Sequence, residues 1–372
     1  MRGTVTKRGN RYYPRVYIGK DENGKWKQKW GKGYETKKEA EKALRKLVEE
    51  AENTFDRKVE KCTLDAYLHH WLASYCELRL AANTVRGYRV NIEKHIIPYI
   101  GSIQLNALTP RDIQRLYDKL SSVGLSSTSI RYVHNNLHKA LSHAVKQEVI
   151  YRNPADLVDP PLVKRFEGSA LPPDDVKRLL TVSMSSELYL PIALALTLGL
   201  RRGEALGLQW DDVDFGNKTI TVRHSASFTG GTFALSTPKT KRSKRTLLVP
   251  DVLLAALESA RSKQRDIAVF LGPGFNPHNL VCCRQDGSPI TFGALQYHYK
   301  NLLKDSGLPD VRFHDLRHTN ATMLLRSAVP AKIVSSMLGH SSIGITMDTY
   351  SHVMTDMQSP AVLAVNQALS GL

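Results

Sequence analysis

At 372 residues, with 42% hydrophobic and 23% charged residues, the chain has length for two or three domains and is too apolar to be disordered. The 52 Lys and Arg against 35 Asp and Glu leave a net charge of +17, which points to a polyanion partner, nucleic acid first, over the plainer reading of a well-hydrated basic surface. Cys62, Cys76, Cys282 and Cys283 form no C-x-x-C pair, which argues against a disulfide framework or structural zinc site. The start, MRGTVTKRGN, has no apolar core and is no signal peptide; with the cysteine usage it predicts a cytoplasmic protein.

Residues 1–58 hold 17 Lys/Arg and 9 Asp/Glu, so nearly half of the excess charge sits in under a sixth of the length. RYYPRVYI (11–18) predicts a strand, DENGK a turn and WKQKWG a second strand. TKKEAEKALRKLVEEAE then predicts a helix, with Thr36 and Glu39 as a capping box. Basic and aromatic residues interleave on these strands, and Arg11, Arg15, Lys27 and Lys29 are the candidate DNA contacts of a sheet lying in a groove. The same pattern also suits a sheet that packs its aromatics on the helix and solvates its charges.

Residues 59–155 read as amphipathic helices alone, an all-α bundle in which Thr109-Pro110 marks one helix start. Five prolines between 152 and 173 predict an interdomain linker, placed at 156–173. Residues 174–372 are mixed and mainly helical: helices near 174–182 and 187–199, a hairpin around VDFGNKTITV, a strand at RTLLVP, then helices to the end. The apolar run LYLPIALALTLGL is too short to span a bilayer and predicts a buried helix. The expected fold class is multidomain α+β: a small sheet-plus-helix domain, a helical bundle, and a mainly-α domain with a small antiparallel sheet.

The last domain carries four chemically suggestive patches: LGLRRGEALGL, STPKTKRSKRTLLVP, FHDLRHT and LGHSSIGITMDTYSHV. In HDLRH, His314 and His318 share a helical face at the spacing of a zinc-peptidase signature. Yet Arg317 lies between them, and Asp315 is one methylene shorter than the glutamate base such an enzyme needs. An anion suits this helix better than a metal, which leaves His318 as a packing or supporting residue. Together the patches supply what phosphodiester exchange needs. Guanidinium forks match the charge on the non-bridging oxygens, and an imidazole can give or take a proton. A lysine can protonate a leaving alkoxide, and a phenol can act as nucleophile. No cluster of acids suggests a metal, and no cofactor is expected.

In this order and spacing, LTLGLRRGEALGLQWDDVD, PKTKRSKRTLLVP, FHDLRHT and LGHSSIGITMDTYSH resemble the tyrosine recombinase family, of the phage or mobile-element integrase kind. The resemblance extends over nearly the whole chain. It implies an arm-type DNA-binding domain at 1–58, a core-binding domain at 59–155 and a catalytic domain at 174–372. It implies that Tyr350 attacks a DNA phosphate to give a 3′-phosphotyrosyl bond, that Arg201 and Arg317 clamp the phosphoryl oxygens and that His340 hydrogen-bonds one of them. It further implies that His314 assists proton transfer from the tyrosine, that Lys239 protonates the leaving oxygen and that Glu204 orients the cations. Lys241 and Lys244 crowd the same hairpin as Lys239; either could replace it or bind backbone phosphate. The implied partners are double-stranded DNA at core and arm-type sites, three further copies in a homotetramer, and an excisionase or host DNA-bending protein. No membrane is involved. A type IB topoisomerase, a non-catalytic DNA-binding regulator and a zinc peptidase remain as alternatives on the residues alone.

Overall fold

The structure is a computed structural model; it describes residues 3–20, 26–58, 62–163, 170–236, 244–340, 342–356, 366 and 369–370, without the side chains of 18–20, 26–27, 51–58, 348 and 351–356. It divides into two compact units, Met1–Arg165 and Phe166–Leu372. The architecture is helix-rich with small antiparallel sheets, as expected.

The first unit opens with a three-stranded antiparallel sheet in the order β1 (Gly3–Arg8), β2 (Arg11–Lys20), β3 (Trp26–Trp30). Strand β1 is an addition to the expected pair; its short Thr-Val-Thr run is flanked by charges, and Gly9, at φ 59°, makes the turn into β2. Helix α1 (Lys37–Lys58) follows, capped reciprocally by Thr36 and Glu39. Strand alternation separates two faces. Val16 is fully buried toward α1 with Ala40, and its cross-strand neighbour is Lys29. Arg15 points the other way, opposite Thr4 and Trp30.

The helical part comprises α2 (Leu64–Trp71), α3 (Glu77–Arg79), α4 (Ala82–Asn91), α5 (Ile97–Ile100), α6 (Pro110–Ser122) and α7 (Ser127–Lys146). Two π-helical turns, Leu72–Cys76 and Ile92–Ile96, join α2 to α3 and α4 to α5, where continuous helices were expected. Thr109 and Asp112 form a capping box behind Pro110. Leu68, Trp71, Ile92, Ile113 and Leu137 fill the core, and Trp71 stacks on both Tyr75 and Tyr88. The start of the Pro-rich segment belongs to this core. Asn153 donates to the carbonyl of His138 and to Ser142 Oγ, while Ala155 and Val158 are buried. At the other end Leu171 joins the second unit's core, its N–H donating to Thr319 Oγ1 at 3.0 Å. The two cores thus take in the chain up to Val158 and from Leu171.

The second unit begins with α8 (Pro173–Ser183), α9 (Tyr189–Leu198) and α10 (Arg202–Leu206). Helix α9 is the apolar run, buried on nearly every side. Strands β4 (Val213–Asp214), β5 (Thr219–Val222) and β8 (Arg245–Leu248) form one antiparallel sheet. Between them lies an unforeseen hairpin, β6 (Ser225–Thr229) and β7 (Thr232–Ser236), turned on Gly230 and Gly231, both at positive φ. Helices α11 (Asp251–Leu271), α12 (Phe292–Asp305), α13 (Asp315–Arg326), α14 (Ala331–Leu338) and α15 (Ile343–Asp356) complete it. Helix α13 packs on α9, where Asn320 Nδ2 donates to the carbonyls of Leu196 and Thr197. Helices α9 and α14 both end on left-handed glycines, Gly199 and Gly339. A Cβ on Gly199 would lie 2.5 Å from Leu338 Cδ2, so these two helix ends can approach only without one. Among the described residues, no helix is long and apolar enough to cross a membrane.

Candidate active site

Arg201 is the residue before α10, and Glu204 sits one turn into that helix. Glu204 accepts from the Arg201 backbone N–H at 2.9 Å and from its Nη1 at 2.7 Å. The same carboxylate accepts from Arg245 Nη2 at 2.8 Å and Nη1 at 3.2 Å. Burial alone would raise the Glu204 pKa, but the hydrogen bonds and charges of Arg245 and Arg201 bring it down to about 2. Arg245 was one cation in a crowded basic segment of sequence; in the fold its side chain is sunk, with Nε donating to the Met337 carbonyl at 2.6 Å.

The two helix ends supply the next layer. Arg201 Nη2 donates to the Gly339 carbonyl at 3.0 Å. Arg317, on α13, is 2% exposed; its Nη1 donates to the Gly199 carbonyl and its Nη2 to that of Leu338, each at 2.7 Å. Burial and the nearby Arg201 charge lower the Arg317 pKa to about 9, so it stays cationic at neutral pH. His340 follows Gly339 directly, and its Nδ1 lies 2.8 Å from the buried Thr346 hydroxyl.

Tyr350 is 2% exposed and lies at a kink in α15, with φ −114° and ψ 20°. It packs with Ala321, Leu325, Val334 and Leu338. Its hydroxyl is 2.7 Å from His318 Nδ1. Here the arrangement departs from expectation. His318 was read as packing or support, and His314 as the ring serving the tyrosine. Among the described residues, the ring nitrogen within hydrogen-bond distance of the phenol is that of His318. His314 precedes α13, its ring T-shaped against His318 at 5.1 Å between centroids. The spacing of His314 and His318 marks a shared face without revealing which ring meets a residue 32 positions later. Burial raises the Tyr350 pKa to about 12, with Arg317 opposing and Asp315 adding to the rise.

The fold thus brings together Arg201, Glu204, Arg317, His340, His318 and Tyr350, adds Arg245, and keeps His314 beside them. Lys239 and Lys241 lie outside the described residues; Lys244 is exposed just before β8. In the N-terminal sheet, Arg11 is exposed, and the Arg15 guanidinium lies over the Trp30 and Tyr17 rings at 5.1 and 5.0 Å. Lys29 lies on the other face of the sheet from Arg15. It shares the α1-facing side with Val16 and pairs with Glu50 at 3.9 Å. The side chain of Lys27 is not among those described. Among the described residues no group of His, Cys, Asp and Glu has the geometry to hold a metal ion.

The imidazoles make the unit acid-sensitive. Burial and neighbouring cations hold the His314 and His340 pKa values at about 4, against roughly 6.5 in an unfolded chain. Each ring binds its proton more weakly folded than unfolded, so stability is full above about pH 6.5 and falls as the pH drops toward 4. Thermal melts across that window should show Tm falling with pH, with a shallower slope in His340→Gln.

The chain is similar to known proteins along most of its length. Residues 169–357 match the profile of the phage integrase family, 63–121 an N-terminal SAM-like domain of phage integrases, and 4–51 an arm DNA-binding domain. A tyrosine recombinase XerC-like protein of Caldanaerobacter subterraneus is 32% identical over 97% of each chain. The ICEBs1 integrase of Bacillus subtilis is 29% identical over 87% of this chain and 88% of its own. Among solved structures, the Tn1549 transposon integrase with transposon right end DNA matches 81% of this chain and all of its own at TM-score 0.70 and 22% identity. A lambda integrase tetramer on a Holliday junction matches 91% of this chain and 95% of its own at TM-score 0.57 and 18% identity. The chain belongs to the phage integrase family of tyrosine recombinases, enzymes that cut and rejoin DNA.

Proposed function

We propose that this recombinase integrates and excises a mobile element at specific sites, with Tyr350 as its nucleophile. The Tyr350 oxygen attacks the scissile phosphorus while the bond to the 5′ oxygen breaks, leaving a 3′-phosphotyrosine and a free 5′-hydroxyl. Arg201 and Arg317 hold the non-bridging oxygens, His340 donates to one of them, and Lys239 protonates the departing oxygen. The 5′-hydroxyl of a partner strand then reverses the step, so phosphodiester energy is kept and no nucleotide is consumed.

The observation that carries this reading is the charge around the Arg201–Glu204–Arg245–Arg317 cluster. Two guanidiniums bond one carboxylate there and a third, Arg317, interacts electrostatically with both that carboxylate and the Tyr350 phenol, an excess of two positive charges. Held guanidiniums are worth most where negative charge develops in a site shielded from water. Incubation with a nicked suicide duplex from the flank of the element should give a covalent protein–DNA adduct on a denaturing gel. Absence of any adduct on cognate DNA would remove the enzymatic reading in favour of a DNA-binding regulator.

Exchange between two duplexes involves four strands and, on this reading, four protomers. The face of the N-terminal sheet bearing Arg11 and Arg15 binds arm-type DNA, the helical part and the catalytic unit bind the core site, and an excisionase or DNA-bending partner sets direction. DNA affinity should fall by orders of magnitude between low and physiological salt, because phosphate contacts release counterions. A salt-independent dissociation constant in a filter-binding series would contradict a phosphate-tracking interface.

A further inference from the structure

We propose that His318 is the catalytic base that takes the proton of Tyr350, a role that rests on Tyr350 being the nucleophile. His318 Nδ1 lies 2.7 Å from the phenol oxygen, inside the 2.6–3.2 Å reach a general base needs. To accept there, Nδ1 must be bare and the ring's proton must sit on Nε2. The phenol reaches this position at the α15 kink, in the sparsely populated bridge region of backbone space. Both partners are held: His318 by α13, and Tyr350 by the apolar cluster with Ala321, Leu325, Val334 and Leu338.

The groups around the ring act on this step in both directions. Burial lowers the His318 pKa, so the ring is unprotonated at neutral pH and free to accept. Asp315 acts in the opposite direction, favouring the imidazolium once it forms, while Arg317 and Arg312 oppose it. Asp315 is itself fixed by Arg312, through its backbone N–H, Nε and Nη2 at 2.9, 3.1 and 2.8 Å. His314 packs edge-on against His318 and completes its surroundings. An arriving DNA phosphate adds negative charge beside Arg317, which offsets that cation and shifts the balance toward the protonated ring. The step balances: the Tyr350 O–P bond forms, the P–O5′ bond breaks, the phenol proton passes to His318 Nδ1, and the 5′ oxygen takes a proton from the general acid.

The test uses the full chain and a nicked suicide duplex, with adduct formation timed across pH. His318→Gln should be about 100-fold slower or worse at neutral pH, the lower end of general-base contributions. Its deficit should narrow as alkali ionises the phenol. A duplex with sulfur in place of the bridging 5′ oxygen needs no protonation of its leaving group, so it should rescue a general-acid variant but leave His318→Gln slow. His318→Ala should recover with added imidazole, and melting curves separate folding defects from chemical ones. Wild-type or faster cleavage by His318→Gln, or its rescue by the sulfur duplex, overturns the proposal, as does loss of cleavage in His314→Gln alone. An adduct formed by Tyr350→Phe would instead overturn the nucleophile assignment beneath it.

Discussion

Tyr350→Phe should abolish covalent adduct formation while leaving the protein folded and able to hold its DNA. The change removes one oxygen from a ring buried among Ala321, Leu325, Val334 and Leu338, so the packing that anchors α15 survives. What is lost is the hydrogen bond to His318, a loss of about 0.5–1.5 kcal/mol, in exchange for relief of a buried hydroxyl. The expected pattern is a melting temperature within a few degrees of wild type, an unchanged shift of labelled duplex on a native gel, and no band surviving denaturation. A covalent band in the variant would transfer the nucleophile's role to another residue.

Glu204→Ala should have the largest effect on stability. The carboxylate is 5% exposed and is the anion shared by Arg201 and Arg245. Without it the buried Arg245 loses both of its hydrogen bonds to that carboxylate. Removing one partner of a buried ion pair costs about 3–5 kcal/mol, which corresponds to a Tm drop of roughly 6–20 °C for a unit of this size. Cleavage should fall as well, because Arg201 loses two of the hydrogen bonds that aim it. Glu204→Gln, which retains the shape and part of the hydrogen bonding, should fall between. A wild-type melting curve for Glu204→Ala would show that the cations are positioned without the carboxylate.

The parts of the site legible in the sequence share a physical reason. Arg201 with Glu204 and His314 with Arg317 each lie on or beside one helix, three residues apart, so helical spacing places each pair. Arg245 was illegible because its four cationic neighbours look alike in sequence, and only tertiary burial singles it out. The contact of His318 with Tyr350 was hidden for a similar reason, since its partner arrives from another helix. In the fold, capping residues such as Thr36 and Thr109 marked helix starts correctly. The π turns at Leu72–Cys76 and Ile92–Ile96 left no such mark, because an inserted residue barely disturbs an apolar stripe. Strand β1 and the two strands of the β6–β7 hairpin are only five or six residues long, too short for their alternation to stand out, although Gly230-Gly231 was a turn signal. Which face of the sheet Lys29 occupies relative to α1 was not legible either, because it depends on where that helix docks.

The guanidiniums of Arg201 and Arg317 lean on the main-chain oxygens of Gly199, Leu338 and Gly339. Those oxygens carry dipoles but no formal charge. They steer the cations without cancelling the positive field meant for the DNA strand. A ring of acids in the same places would have fixed the arginines as firmly but neutralised them, repelled the incoming strand, and failed on acidification. Peptide oxygens have no such titration, so this part of the cradle keeps its aim at every pH the fold survives.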